Sequence, residues 1–115
     1  MYGIDSRADS ITSATKNIDS LGLLDMVTLV QSDFTEASKL WSRQIDILHV
    51  DGDHSYESVL RDFSNWSTHV TPGGIILFHD IDSFPEGPGK LFREIAWPKW
   101  GYNMFCGLGV VTKPR

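Results

Sequence analysis

Two short apolar runs, Ile45–Val50 and Gly74–Phe78, each break off abruptly into residues that can carry a proton or a cation. The first is followed by Asp51-Gly-Asp-His54 and the second by His79-Asp80-Ile-Asp82. Between them Tyr56, Val59, Leu60, Phe63 and Trp66 fall at offsets 0, 3, 4, 7 and 10, one face of a 3.6-residue period. Thr71-Pro72-Gly73-Gly74 then reads as the turn back into a strand. Strand, helix and strand with short joints make a βαβ unit, which requires parallel strands and a right-handed crossover. Open α/β sheets bind ligands outside the carboxyl ends of their strands. Both polar clusters belong at that edge, so they are predicted to converge.

The flanks continue the alternation. Met1–Ile4 reads as a strand ending at Asp5, and Ile11, Ala14, Ile18 and Leu21 mark a helix face stopped by Gly22. Met26–Val30 is the next strand, and Ser32 or Asp33 caps a short helix over Thr35–Leu40. After Asp82 comes a turn-rich SFPEGPG loop, then a short helix over Lys90–Ala96. Tyr102–Phe105 and Leu108–Thr112 close the chain as an antiparallel hairpin at a sheet edge. This order argues for an α/β layered architecture in a single domain spanning 1–115.

Composition narrows the function classes. With 10 basic and 15 acidic residues the formal net charge is −5, against the basic face of a duplex nucleic-acid binder. No apolar run approaches the ~20 residues of a membrane span, and no signal-peptide pattern is present. The single cysteine, Cys106, cannot form an internal disulfide, in keeping with a cytoplasmic location. No Gly-x-Gly-x-x-Gly loop, Walker loop or Gly-x-Ser-x-Gly elbow occurs.

Several residues are candidates for chemistry, each beside a plainer role. Asp5 is placed to accept hydrogen bonds from ribose hydroxyls or simply to cap the next segment. Ser32 and Asp33 occupy the same place one strand later, facing an adenine or capping a helix. Asp51, Asp53 and His54 form a mutually repelling group that a hard cation would offset. A histidine with an ordinary pKa of about 6.5 is within reach of general-base duty, while Asp53 and Ser55 alternatively cap the following helix. Asp80 is a second cation ligand, and His79 points either into the cleft or toward a helix layer. Asp82 is expected at the solvent, His49 as a hydrogen-bonded core histidine and His69 at the surface.

With these residues placed, the chain resembles the class I S-adenosylmethionine-dependent methyltransferases, in particular the small-molecule O-methyltransferase group of the Methyltransf_24 kind. The resemblance rests on Ile45-Asp46, His49, Asp51-Gly-Asp-His54, Tyr56, Asp62, Trp66, Pro72-Gly-Gly and His79-Asp80. It implies a Rossmann-like three-layer fold whose mostly parallel sheet has the order 3-2-1-4-5-7-6, with strand 7 antiparallel. Met1–Ile4 resembles strand 2 of that fold, so strand 1 and the glycine-rich loop are absent and strands 2 to 7 are expected. Asp5, Ser32, Asp33 and Asp51 are then the cofactor-facing residues, Asp51, Asp80 and His79 the ligands of a magnesium ion, and His54 the base. His79 stands where metal-dependent relatives carry an acid, and Ile81 where others carry an amide.

The implied function is methyl transfer from S-adenosylmethionine to a hydroxyl of a small molecule, assisted by a metal. The alternatives are a non-catalytic methyltransferase-fold module acting through association, and an iron enzyme using His54, His79 and Asp80. Missing strand 1 would leave unpaired edges that favour homo-oligomers, and cofactor binding by this chain alone is expected to be weak or absent. No nucleic-acid or membrane partner is expected.

Overall fold

The computed structural model describes residues 1–115. They divide into two compact units, Met1–Leu40 and Trp41–Arg115. No helix is long and apolar enough to cross a membrane.

The first unit is a two-stranded parallel sheet with its connecting helix. Strand β1 (Tyr2–Asp5) pairs in register with β2 (Thr28–Gln31), from Tyr2 opposite Thr28 to Asp5 opposite Gln31. Helix α1 (Ala8–Ser20) crosses between them, and α2 (Phe34–Leu40) follows β2. Gly22, at φ +67°, stops the chain after α1 as expected of a glycine in the left-handed region. The expected second strand starts two residues late because Leu24–Met26 forms a single 3₁₀ turn. No apolar side chain of this unit is fully buried.

The second unit holds the core. Strand β3 (Ile45–Val50) lies parallel to β4 (Val70–His79), linked by α3 (Tyr56–Trp66) and a 3₁₀ turn at Ser67–His69. Helix α4 (Pro88–Glu94) precedes β5 (Lys99–Tyr102) and β6 (Leu108–Thr112). The sheet order is β3-β4-β6-β5, with β6 antiparallel to both its neighbours. Within each sheet the strand neighbours match those expected, β1-β2 for strands 2 and 3 and β3-β4-β6-β5 for strands 4, 5, 7 and 6, including the antiparallel inner strand.

Strand β4 is hydrogen-bonded on both edges, and its alternate residues Ile76 and Phe78 are wholly buried with Val111 of β6. Val59, Val70, Ile81, Leu91 and Ile95 complete the core. On α3 the buried stripe runs through Tyr56, Val59, Phe63 and Trp66, but Leu60 falls on its flank and is 37% exposed. Ser55 caps this helix by accepting from the Ser58 N–H at 3.4 Å.

Other expectations change too, and the short helix expected over Lys90–Ala96 runs over Pro88–Glu94. The Thr71–Gly74 turn survives as an irregularity inside β4, where pairing jumps from Ile45 opposite Val70 to Ile47 opposite Ile75. The first hairpin strand is Lys99–Tyr102 rather than Tyr102–Phe105, because Tyr102 opposite Leu108 leaves residues 103–107 to turn the chain. That turn uses left-handed backbone at Phe105 (φ +55°) and Gly107 (φ +81°). His49 is exposed rather than core, since β3 is the outer strand of its sheet.

Helix α4 seats tightly beneath the strand ends. Pro88 occupies its first turn, where a missing N–H costs nothing. A Cβ at Gly87 would overlap the His54 carbonyl oxygen, and one at Gly89 the Ile81 carbonyl oxygen. Lys99 Nζ donates to the Phe92, Arg93 and Ile95 carbonyls at 2.8, 2.6 and 2.6 Å, satisfying the end of the same helix.

Two outcomes follow. Gly89→Ala forces backbone apart and should cost about 1–3 kcal/mol in urea unfolding; an unchanged midpoint would show that α4 is not seated as described. Hydrogen exchange should be faster throughout residues 2–40 than in β4, because buried apolar contact sets local stability. Equal protection in the two segments would contradict this account.

Candidate metal and catalytic site

The site grows directly from the β3–β4 register. Val50 stands opposite Phe78, so the next residues, Asp51 and His79, leave adjacent parallel strands at the same level. Asp80 follows with φ +62°, a left-handed backbone that is uncommon for a residue other than glycine. This turn is tied down by neighbours: the Asp80 carbonyl accepts from the Phe84 N–H at 3.0 Å. The Cys106 carbonyl accepts from the Asp82 and Ser83 N–H groups at 3.1 and 3.2 Å. His54 reaches the same place from the start of α3, immediately before the Ser55 cap.

Four side chains converge. His54 Nε2 and His79 Nδ1 each lie 2.9 Å from Asp80 Oδ2, and His79 Nδ1 lies 3.5 Å from Asp51 Oδ1. The Asp80 side chain is only 12% exposed, whereas those of Asp51, His54 and His79 are 46%, 36% and 41% exposed. His79 therefore turns toward the carboxylates and not toward a helix layer. The two imidazole nitrogens are buried at ion-pair distance, but neither makes an aligned hydrogen bond. Donor atoms of Asp51, His54 and Asp80 all lie within 4.8 Å of one another. Buried nitrogens without an aligned partner, gathered around two carboxylates, fit a divalent cation.

The electrostatics are reciprocal. Contact with Asp80 is the main influence holding the His79 imidazole above its ordinary pKa, burial opposes it, and the Asp51 charge adds to it. His79 in turn holds the Asp80 carboxyl below the usual carboxylate range against the effect of burial, with Cys106 and the His54 charge assisting.

Sequence reasoning missed the residue that steadies His54. Phe84 stacks on its ring with centroids 4.0 Å apart and planes 3° apart. Its position in a turn-rich loop gave no periodic signal. Ile81, at the position where the resemblance sets an amide in some relatives, is buried in the core. Asp53 accepts from the Ser55 hydroxyl at 2.7 Å and so supports the helix start. Asp82 is exposed as expected, and His69 is half-buried beside Trp66. Trp97 packs on Phe63, while Trp100 and Tyr102 are 56% and 52% exposed.

The remaining candidates lie in the first unit, at the carboxyl ends of β1 and β2. Asp5 Oδ1 accepts from the Arg7 N–H at 2.8 Å, and the Asp5 carbonyl accepts from the Ser32 N–H at 3.1 Å. Asp33 Oδ1 accepts from the Thr35 and Glu36 N–H groups at 2.9 and 3.1 Å. Asp33 is thus the helix cap of the two candidates, and Ser32 donates to the Asp33 carbonyl at 3.0 Å. One oxygen of each carboxylate is committed to local structure.

The shifts set a pH window for the metal-free chain. His79 is raised from 6.5, so its contribution is full below that value and lost as pH climbs through the folded pKa. Asp80 is lowered from 3.8, so its contribution is present above that value and lost as pH falls through the folded pKa. The pair should stabilise between those limits, modestly because His79 is substantially exposed. NMR titration should find the His79 pKa above 6.5 and lower it in Asp80→Asn; a pKa that ignores the substitution would break the assignment.

A methyltransferase-domain family model, Methyltransf_24, matches residues 1–81. An uncharacterised protein of Sinorhizobium fredii is 37% identical over 88 residues, covering 72% of this chain and 10% of that protein. An uncharacterised protein of Acanthamoeba polyphaga mimivirus is 43% identical over 71 residues, covering 56% of this chain and 32% of that protein. The chain therefore spans a third or less of these curated relatives. In fold it is similar to a methyltransferase from Geobacter sulfurreducens, with TM-score 0.78, 19% identity and coverage of 99% of this chain and 58% of that one. An S-adenosylhomocysteine-bound methyltransferase from Podospora anserina gives TM-score 0.76 at 12% identity, covering 99% and 60% of the two chains. With two-thirds of its length matched by the family model and its Rossmann-like fold shared with solved methyltransferases, the chain belongs to the Methyltransf_24 methyltransferase-domain family.

Proposed function

We propose that this chain carries methyl-transfer chemistry from S-adenosylmethionine to a hydroxyl of a small molecule, with a divalent cation held at the Asp51–His54–His79–Asp80 cluster. The observation that carries the reading is the meeting of these four side chains at the carboxyl ends of two parallel strands. The family and the fold of solved neighbours, one of them with S-adenosylhomocysteine bound, support the cofactor.

Asp51, Asp80 and His79 would hold the cation. Its chemistry there is Lewis acidity toward a hydroxyl oxygen. His54 takes the hydroxyl proton; its ring is stacked on Phe84, and its Nε2 lies 2.9 Å from Asp80 Oδ2. When bound, S-adenosylmethionine would supply a sulfonium methyl group that the hydroxyl oxygen could take, with the C–S electron pair remaining on sulfur as S-adenosylhomocysteine. In the first unit the resemblance assigns Asp5 to the cofactor ribose and Ser32 and Asp33 to its adenine; in the second unit it assigns Asp51 to the cofactor-facing set.

The test is transfer of labelled methyl from S-adenosylmethionine to a panel of hydroxylated small molecules. His54→Gln should lower kcat by about 100-fold or more while leaving S-adenosylhomocysteine affinity within a few-fold, the pattern for a lost general base. Labelling of amines or protein in preference to hydroxyls, or full activity in His54→Gln, would refute the proposal.

A further inference from the structure

We infer that the cation of this site is a first-row transition ion, in the range manganese to zinc, and not magnesium. The inference rests on the proposed function only in taking the cluster to hold a divalent cation. Its basis is the donor set.

Magnesium takes oxygen ligands in a near-ideal octahedron and keeps several waters. Imidazole nitrogen suits zinc, copper, iron and nickel, and affinity rises from manganese toward copper for any given nitrogen–oxygen site. Here an imidazole occupies the place beside Asp51 that the resemblance assigns to an acid, and the β3–β4 register keeps it there. His79 Nδ1 sits between the two carboxylates, 2.9 Å from Asp80 Oδ2 and 3.5 Å from Asp51 Oδ1.

Those separations have a coordination meaning. Ligands at ~2.1 Å from one ion lie ~3.0 Å apart when cis in an octahedron and ~3.4 Å apart in a tetrahedron. Both separations from His79 Nδ1 fall near those spacings. His79 Nδ1 is also buried without an aligned hydrogen bond. Such a nitrogen gains more from an ion that accepts its lone pair than from one that prefers water.

The test is equilibrium titration of the metal-free 115-residue chain with Mn²⁺, Zn²⁺ and Mg²⁺ at neutral pH, with circular dichroism of every variant. Zinc should bind at least about 100-fold more tightly than magnesium, with manganese between them. His79→Ala should weaken zinc by about 10-fold or more and leave magnesium within a few-fold. If that variant unfolds, ¹⁵N NMR of the wild-type imidazoles decides: zinc must shift the His79 Nδ1 resonance. Magnesium binding as tight as zinc, zinc affinity indifferent to His79, or an unmoved Nδ1 resonance would overturn the inference. Failure of all three ions to bind would overturn it too. The methyltransferase reading is judged separately, by S-adenosylhomocysteine binding in the same samples with each ion and with none.

Discussion

The parallel pairing of β3 with β4 is the constraint on which the rest of the site depends. Because Val50 faces Phe78, two strands that are far apart in sequence end at the same height, and their next residues emerge side by side. Phe78 and Ile76 are completely buried, and a slip by one residue would turn that apolar set to the opposite face of the sheet. The hydrophobic core therefore fixes the register, and the register fixes which polar residues meet. The geometry of the candidate site is a consequence of packing.

Beyond the strand ends, the arrangement is maintained by backbone more than by side chains. Asp80 holds a left-handed conformation that is unfavourable for an L-residue, and it is braced by hydrogen bonds linking Phe84 and the Cys106 turn to the same segment. Helix α4 approaches so closely that two glycines, Gly87 and Gly89, lie against the His54 and Ile81 carbonyls. The two loops bearing the candidate ligands are thus held from below by one short helix. Repulsion between Asp51 and Asp80 is relieved by the intervening His79, whose shifted proton affinity reports how strongly the carboxylates act on it.

Much of this was legible in the chain. The boundaries of β3, β6 and the start of α3 follow from apolar runs and the Ser55 cap, and the convergence of the two polar clusters follows from βαβ handedness. His49 misled because a histidine within an apolar run reads as core unless the strand is known to be outermost. Leu60 misled because periodicity marks a face without marking its edge. Phe84 and the Asp80 turn were beyond sequence reasoning: each depends on contacts across the fold, and neither leaves a periodic or compositional trace. The direction of His79 was undecided on alternation alone, and is settled by the left-handed residue after it and the acids around it.

The central claim is that one ion-binding centre sits at the ends of β3 and β4. Paramagnetic broadening of amide NMR signals by substoichiometric Mn²⁺ tests it directly. The account requires selective loss of signals from residues 51–54 and 79–81, with the carboxylates at Asp5 and Asp33 little affected. Broadening centred on Asp5, Asp33 or other exposed acids, or spread evenly along the chain, would contradict it.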